Sequence, residues 1–117
     1  MDIDKLLEEA IEGDMVAQCE VGLYYERNRM YDKAVFWLEK AAEQGYDYAQ
    51  YQLAINYEKG LGVTKDYEKA AYYFLLSAKQ GFKSSMFELA TSYEIGRGVE
   101  KNLEKAKYWR DKYYELD

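Results

Sequence analysis

The strongest constraint on the fold of this chain is an internal repeat of 36 residues in its second half. Aligning Gly45 with Gly81 places Leu53 on Leu89, Ala54 on Ala90, Tyr57-Glu58 on Tyr93-Glu94, Gly60-Leu61-Gly62-Val63 on Gly96-Arg97-Gly98-Val99, and Glu68-Lys69-Ala70 on Glu104-Lys105-Ala106. A shorter copy begins at Gly13 and contains Ala17, Val21, Gly22, Tyr25, Asp32-Lys33-Ala34 and Trp37. Repeats of this length are typical of stacked helical units, because no single unit can bury its own apolar face.

Each unit has the pattern of two amphipathic helices, here named A and B in chain order. The B helix of the first unit shows the i, i+3, i+4, i+7, i+8 spacing in Ala34, Trp37, Leu38, Ala41 and Ala42. Residues suited to helix ends recur between the helices: Gly13, Gly45, Gly60, Gly81 and Gly96 as C-terminal caps, Asp66 and Asn102 as N-terminal caps. The sequence therefore predicts helices near residues 2–12, 15–27, 31–43, 47–59, 67–79, 83–95 and 103–115.

These helices predict one repeat domain over residues 1–117. It comprises a capping helix in 1–13 and repeats in 14–45, 46–81 and 82–117. The first repeat has four fewer residues between Tyr25 and Ala34 than the second has between Tyr57 and Ala70, so its link is expected to be a tight turn near residues 28–31. Aromatic and apolar residues at the C-terminal end could cap the core or pair with another copy, which leaves the oligomeric state open: Tyr113, Tyr114 and Leu116.

Charge and composition narrow the class of partner. Of the 117 residues, 49% are apolar, which is typical of a globular chain. The net charge is −6, and the sixteen basic residues are scattered rather than clustered. Nucleic acids and anionic membranes need a basic surface, so neither is an expected partner. A protein or peptide partner is favoured, and the negative charge would attract a basic one.

Cysteine usage and the N-terminus suggest a compartment. Cys19 has no second cysteine with which to pair, and the acidic N-terminal residues lack the basic start of a signal peptide. The longest apolar run, residues 70–76, is too short to span a bilayer. A cytoplasmic location is expected.

The recurring residues resemble the Sel1-like repeat family, a relative of the tetratricopeptide repeats, over nearly the whole chain. Its unit contains Ala-x-x-x-Leu-Gly-x-x-Tyr, then Gly-x-Gly-Val-x-x-Asp, then Ala-x-x-Trp and Ala-Ala-x-x-x-Gly. The second unit matches at Ala49, Leu53, Tyr57, Gly60, Gly62, Val63, Asp66, Ala70, Ala78 and Gly81. The third matches at Leu89, Tyr93, Gly96, Gly98, Val99, Ala106 and Trp109, and the first at Ala17, Gly22, Tyr25, Ala34, Trp37, Ala41, Ala42 and Gly45.

This resemblance implies an all-α, right-handed superhelix, or solenoid, of about three helix pairs with an extra N-terminal capping helix. It also implies a protein-interaction module, since family members serve as adaptors, as bacterial host-interaction factors and as partners that neutralise secreted toxins. The alternative that we keep open is a stand-alone inhibitor, or immunity protein, of a basic toxin or effector. A subgroup of the family with two paired cysteines in every unit is linked to β-lactam binding. This chain, with one cysteine, falls outside that subgroup.

The A helices are expected to line the concave side of the solenoid and to bind the partner there. The residues that should point into this groove are Cys19, Glu20, Leu23, Arg27, Tyr51, Gln52, Ile55, Lys59, Phe87, Glu88, Thr91 and Ile95. The rings of Tyr51 and Phe87 are the expected anchors, because rigid aromatic side chains framed by charge form interface hot spots. The other interpretation is that these side chains only complete the packing between helices.

Two further sets of residues follow the repeat. Tyr25, Tyr57 and Tyr93 lie on the apolar stripe and are expected to be core residues. Glu26, Glu58 and Glu94 follow them and should form a ladder on one face. The ladder could attract a basic segment, or each carboxylate could simply pair with a nearby lysine or arginine.

Catalysis is not expected. The chain has no histidine, which removes the usual general base and most nucleophile–base pairs and zinc sites. The Gly-x-Gly segments follow helices rather than strands, so they are not phosphate-binding loops. A hydrolase based on two carboxylates is the remote alternative. Cys19 is best explained as a small core residue, and no catalytic, cofactor or metal site is predicted.

Overall fold

A computed structural model describes residues 3–115, and these form seven helices without a strand. The helices are α1 (Ile3–Ile11), α2 (Met15–Arg27), α3 (Tyr31–Glu43), α4 (Asp47–Lys59), α5 (Tyr67–Lys79), α6 (Lys83–Ile95) and α7 (Leu103–Glu115). The last six coincide with the predicted ranges. The first was predicted for 2–12 and ends at Ile11, while residue 2 lies outside the described part of the chain.

The helices pack in sequence order. Three antiparallel pairs, α2–α3, α4–α5 and α6–α7, make the most extensive contacts, and each pair packs on the next through α3–α4 and α5–α6. Helix α1 packs on α2 and covers the N-terminal end of the array. The result is an elongated helical repeat solenoid with principal extents of 46 × 30 × 20 Å. Helices α2, α4 and α6 are the A helices of the three repeats.

The core follows the repeated apolar stripe. Its main cluster is continuous through all three pairs and includes Leu38, Leu53, Phe74 and Leu89, each at most 1% exposed. A smaller cluster joins α1 to the first pair. Gly22 explains how closely α2 and α3 approach, because a Cβ added there would lie 2.8 Å from Leu38 Cγ. Burial of one continuous stripe stabilises the array as a whole rather than any single repeat.

The repeat tyrosines are not equally buried. Tyr57, in the central repeat, is 8% exposed and belongs to the core as predicted. Tyr25 and Tyr93 are half-buried and pack against the core clusters, as expected of packing residues on the apolar stripe.

The helix ends form as predicted. The short first link is a turn at residues 28–30, closed by a hydrogen bond from the Met30 N–H to the Tyr25 carbonyl oxygen (2.9 Å). Asp66 and Asn102 accept hydrogen bonds from the Lys69 and Lys105 N–H groups, each at 3.0 Å, so both carboxamide and carboxylate caps are in place. These caps satisfy backbone donors that the helix leaves free at its N-terminus.

Each of the first two repeats contains a hydrogen-bonded pair of glutamines that the repeat pattern did not predict. Gln44 Nε2 donates to the Gly13 carbonyl oxygen (2.9 Å) and to Gln18 Oε1 (2.9 Å). Gln80 Nε2 repeats both bonds, to the Gly45 carbonyl oxygen (2.8 Å) and to Gln50 Oε1 (2.9 Å). The equivalent positions in the third repeat are Met86 and residue 116, so this bridge belongs to the first two repeats. The bonds between glutamines lie within one repeat, whereas the bond to Gly13 ties the first repeat to the capping segment and the bond to Gly45 ties the second repeat to the first.

Candidate functional site

The predicted groove residues, except Cys19, lie on one face of the three A helices, which we call the A-helix face. Glu20, Arg27, Lys59 and Phe87 are exposed there. Others are half-buried: Leu23, Tyr51, Gln52, Ile55, Glu88 and Thr91. Ile95 is exposed, whereas Cys19 is 1% exposed and lies in the core, so it does not line this face.

Three of the predicted residues come together in one pocket. Tyr51 of α4 and Phe87 and Glu88 of α6 line an open cavity of about 180 Å³, together with Ser84 of α6 and Tyr113 of α7. We call this cavity the aromatic pocket. The residues predicted on α2 (Glu20, Leu23 and Arg27) do not line it, nor do Gln52, Ile55, Lys59 and Thr91. The pocket therefore spans the second and third repeats only.

Packing behind the pocket holds its rings in place. The Tyr51 ring lies 5.2 Å from the Phe82 ring and 6.0 Å from the Phe74 ring, measured between centroids. The Phe87 ring lies 5.4 Å from the Tyr113 ring, although Phe87 itself is 46% exposed. Tilted ring pairs at these distances are favourable, so the pocket walls are positioned before anything binds.

Burial and neighbouring charges alter the ionisation of two pocket residues. Burial raises the pKa of Glu88 above its usual range, and the Glu58 carboxylate raises it further, while Arg97 and Lys59 oppose the change. Burial also raises the pKa of Tyr51, and the charges of Glu88 and other neighbours raise it further. A hydrogen bond with Ser84 lowers it in part. Both groups are therefore harder to ionise than in water, as expected for acidic side chains that are partly buried.

The three glutamates of the predicted ladder have different environments. Glu94 pairs with Arg110 at 3.0 Å, and Glu58 lies 3.9 Å from Arg97. Burial raises the pKa of half-buried Glu26, against a hydrogen bond from Asn56 and the charge of Lys59. Two of the three carboxylates therefore already have a cation beside them, as the second interpretation of the ladder expects.

A second cavity, of about 360 Å³, lies between α1 and α3 near the N-terminal end. Its lining consists of Ala10, Ile11, Gln18, Phe36, Trp37 and Lys40. Phe36 is 55% exposed, and the Lys40 Nζ lies 4.9 Å from the centre of its ring. The repeat pattern does not predict this cavity, because it forms only where the capping helix meets the first repeat.

The thiol of Cys19 is buried, and its chemistry is accordingly suppressed. Burial raises its pKa from 9.0 to about 12, and the nearby charges of Glu20 and Glu26 add to the effect. At pH 8 we expect the folded protein to react with Ellman's reagent roughly a hundredfold more slowly than the unfolded protein, because burial lowers the fraction of thiolate, the reacting species, and blocks access to it. The measurement is the absorbance change with and without denaturant. Equal rates in the two states would contradict a buried Cys19.

Neither a metal centre nor a membrane span is evident in residues 3–115. No group of three or more cysteine, aspartate or glutamate side chains is arranged to hold a metal ion there. None of the helices in that range is long and apolar enough to cross a bilayer. The cytoplasmic location stays a prediction.

Comparison with known proteins identifies the family. The pattern of the Sel1 repeat matches residues 16–46, 47–82 and 83–109, so this chain belongs to the Sel1 repeat family. No curated protein shows a significant sequence match. Sel1 repeats are generally protein-interaction modules and non-enzymatic scaffolds.

Solved structures with the same fold come from several bacteria. A Sel1 repeat protein from Oxalobacter formigenes has a TM-score of 0.89 and 28% identity, over 97% of this chain and 90% of that chain. The protective antigen c5321 of uropathogenic Escherichia coli has a TM-score of 0.94 and 29% identity, over 99% of this chain but 26% of its own. The cysteine-rich protein B of Helicobacter pylori has a TM-score of 0.80 and 25% identity, over 98% and 88%.

Proposed function

We propose that this protein binds a polypeptide segment of a partner protein on its A-helix face, the predicted concave surface of the solenoid. The observation that carries the proposal is the aromatic pocket. Tyr51, Phe87 and Glu88 come from two different repeats, were each expected to contact a partner, and line one open cavity. A pocket walled by aromatic rings in the middle of a surface is a common centre of binding energy.

The rigidity of the pocket supports binding without a large ordering cost. Tyr51 packs against two core-side rings and Phe87 against Tyr113, so few side-chain rotamers remain to be fixed when the partner arrives. The exposed half of the Phe87 ring is apolar surface that a partner would remove from water.

Charge favours a basic partner. The net charge is −6, and the pocket contains the half-buried Glu88 close to the charge of Glu58. Complementary charge increases the rate of association and selects against acidic partners.

The proposal is tested by affinity capture with the double variant Tyr51→Ala/Phe87→Ala. Tagged wild-type protein and variant are used as bait in extracts of the source cells, and bound proteins are identified by mass spectrometry. We expect the variant to lose the partner that the wild type retains. The matched control is Phe36→Ala/Tyr72→Ala, which removes two exposed rings (55% and 56% exposed) from the B helices α3 and α5.

The control should retain the partner, and both variants must keep the helical circular-dichroism spectrum. Because Tyr51 also supports the core, Phe87→Ala alone is included as the milder change. Partner loss in the B-helix control but not in the A-helix variant would place the binding site on the opposite face. The inhibitor alternative would be favoured by a single tightly bound partner whose association rate falls strongly with salt. Several weakly bound partners would favour an adaptor.

A further inference from the structure

We propose that the aromatic pocket binds the side chain of an arginine supplied by the partner polypeptide. The inference rests on the proposed function, because the pocket belongs to the proposed binding surface. It goes further by naming the group that is recognised: a guanidinium held between the rings of Tyr51 and Phe87 and facing the carboxylate of Glu88.

The three aromatic rings of the pocket can bind a cation. Tyr51, Phe87 and Tyr113 surround a cavity of about 180 Å³ that is open to solvent. Aromatic rings can bind either an apolar side chain or a cation placed over the ring face. Among cations, arginine stacks on a ring better than lysine because its charged group is planar. The Lys83 Nζ already lies 4.7 Å from the centre of the Tyr113 ring, which leaves Tyr51 and Phe87 as the rings for an incoming cation.

The carboxylate of Glu88 favours a cation over an apolar side chain in this pocket. Glu88 lines the pocket and is half-buried, yet within residues 3–115 no lysine or arginine forms an ion pair with it. Covering the pocket with an apolar group would withdraw this carboxylate further from water, at a cost. A guanidinium would instead form charge-assisted hydrogen bonds with both carboxylate oxygens.

Nearby cations do not already fill this role. Arg97 and Lys59 act on Glu88 from a distance and lower its pKa, but burial and Glu58 outweigh them. The guanidinium of Arg97 lies 5.2 Å from the centre of the Tyr67 ring and 3.9 Å from a Glu58 oxygen. It therefore has a ring and a carboxylate of its own, next to the pocket.

Arg97 also shows that this surface accommodates the proposed arrangement. Its side chain lies near an aromatic ring of α5 and a carboxylate of α4 at the same time. The aromatic pocket offers the same two kinds of group in Tyr51, Phe87 and Glu88, while the Lys83 Nζ lies over its third ring, that of Tyr113. An arginine from the partner would thus repeat, at the same boundary between the second and third repeats, a contact that the protein makes internally.

The test uses two probes that differ in charge but hardly in shape: N-acetyl-arginine amide and N-acetyl-citrulline amide. Each is titrated into ¹⁵N-labelled full-length protein and followed by amide chemical shifts. We expect the arginine probe to shift the signals of Ser84, Phe87 and Glu88 and to bind about tenfold more tightly than citrulline. Glu88→Gln and Phe87→Ala should each reduce this preference. The matched controls Glu100→Gln and Phe36→Ala, both at exposed positions outside the pocket, should leave it unchanged.

Equal shifts with arginine and citrulline, no localised shift, or a preference that survives Glu88→Gln would overturn the inference. An equal response to N-acetyl-lysine amide would overturn the assignment to arginine. The result is separable from that of the capture experiment. Capture that depends on Tyr51 and Phe87 without arginine selectivity defeats only the present inference, whereas arginine binding with unaffected capture defeats the proposed function.

Discussion

Replacing Tyr57 with alanine is expected to lower the free energy of unfolding by about 3–5 kcal/mol, the usual cost of removing a large aromatic side chain from a core. The ring is 8% exposed and stacks on the Tyr73 ring with centroids 6.0 Å apart. The Lys69 Nζ lies 5.3 Å from the ring centre, and the hydroxyl donates to Glu39 Oε1 at 3.2 Å. All of these contacts join α4 to α3 and α5, so their loss weakens two helix interfaces together. Urea denaturation followed by circular dichroism measures the change.

Two variants separate the contributions to this loss. Tyr57→Phe removes only the hydroxyl and is expected to cost about 1 kcal/mol, because Glu39 can bind water instead. Tyr93→Ala changes the equivalent residue of the third repeat, which is half-buried and should cost less than Tyr57→Ala. If Tyr57→Ala and Tyr93→Ala proved equally destabilising, the central position of Tyr57 in the core would be wrong.

The fold was predictable because each helix end has a local chemical cause. Glycines with positive φ end the helices at Gly60 and Gly96, and side-chain caps begin the next helices at Asp66 and Asn102. These signals recur in register, so every repeat confirms the assignment of the others. The apolar stripe then determines which faces pack, and the sequence order of the packing follows from the short links.

The candidate site was predictable only in part. Tyr51, Phe87 and Glu88 could be placed on the A-helix face from their positions in the repeat. Ser84 and Tyr113 could not be assigned to the same pocket, because Tyr113 lies on α7 and reaches Phe87 through the angle between two helices. That angle depends on packing across the whole pair. Likewise, the glutamine bridges join residues 26 to 35 positions apart, beyond the range of any local pattern.

Replacing Gly98 with alanine is expected to lower the free energy of unfolding by about 2–5 kcal/mol, combining backbone strain with overpacking. Gly98 has a φ of +73°, and a Cβ added there would collide with the Tyr67 carbonyl oxygen at the start of α5. Gly62 makes the same approach to Tyr31 one repeat earlier. The backbone at Gly98 in the third repeat therefore packs directly on the backbone of the second repeat. Any side chain at this position would prevent that contact.

Gly81→Ala is the matched control, since Gly81 has a φ of +93° but no atom within 4 Å of the added Cβ. It should show only the cost of strain, about 1–2 kcal/mol. The difference between the two variants in urea denaturation therefore measures the collision alone, and equal losses would show that the loop simply moves away from α5. Because α6 carries Phe87 and Glu88 while α4 carries Tyr51, separation of these repeats would also take the aromatic pocket apart. Gly98→Ala should then weaken binding of the arginine probe even at temperatures where the helices remain folded.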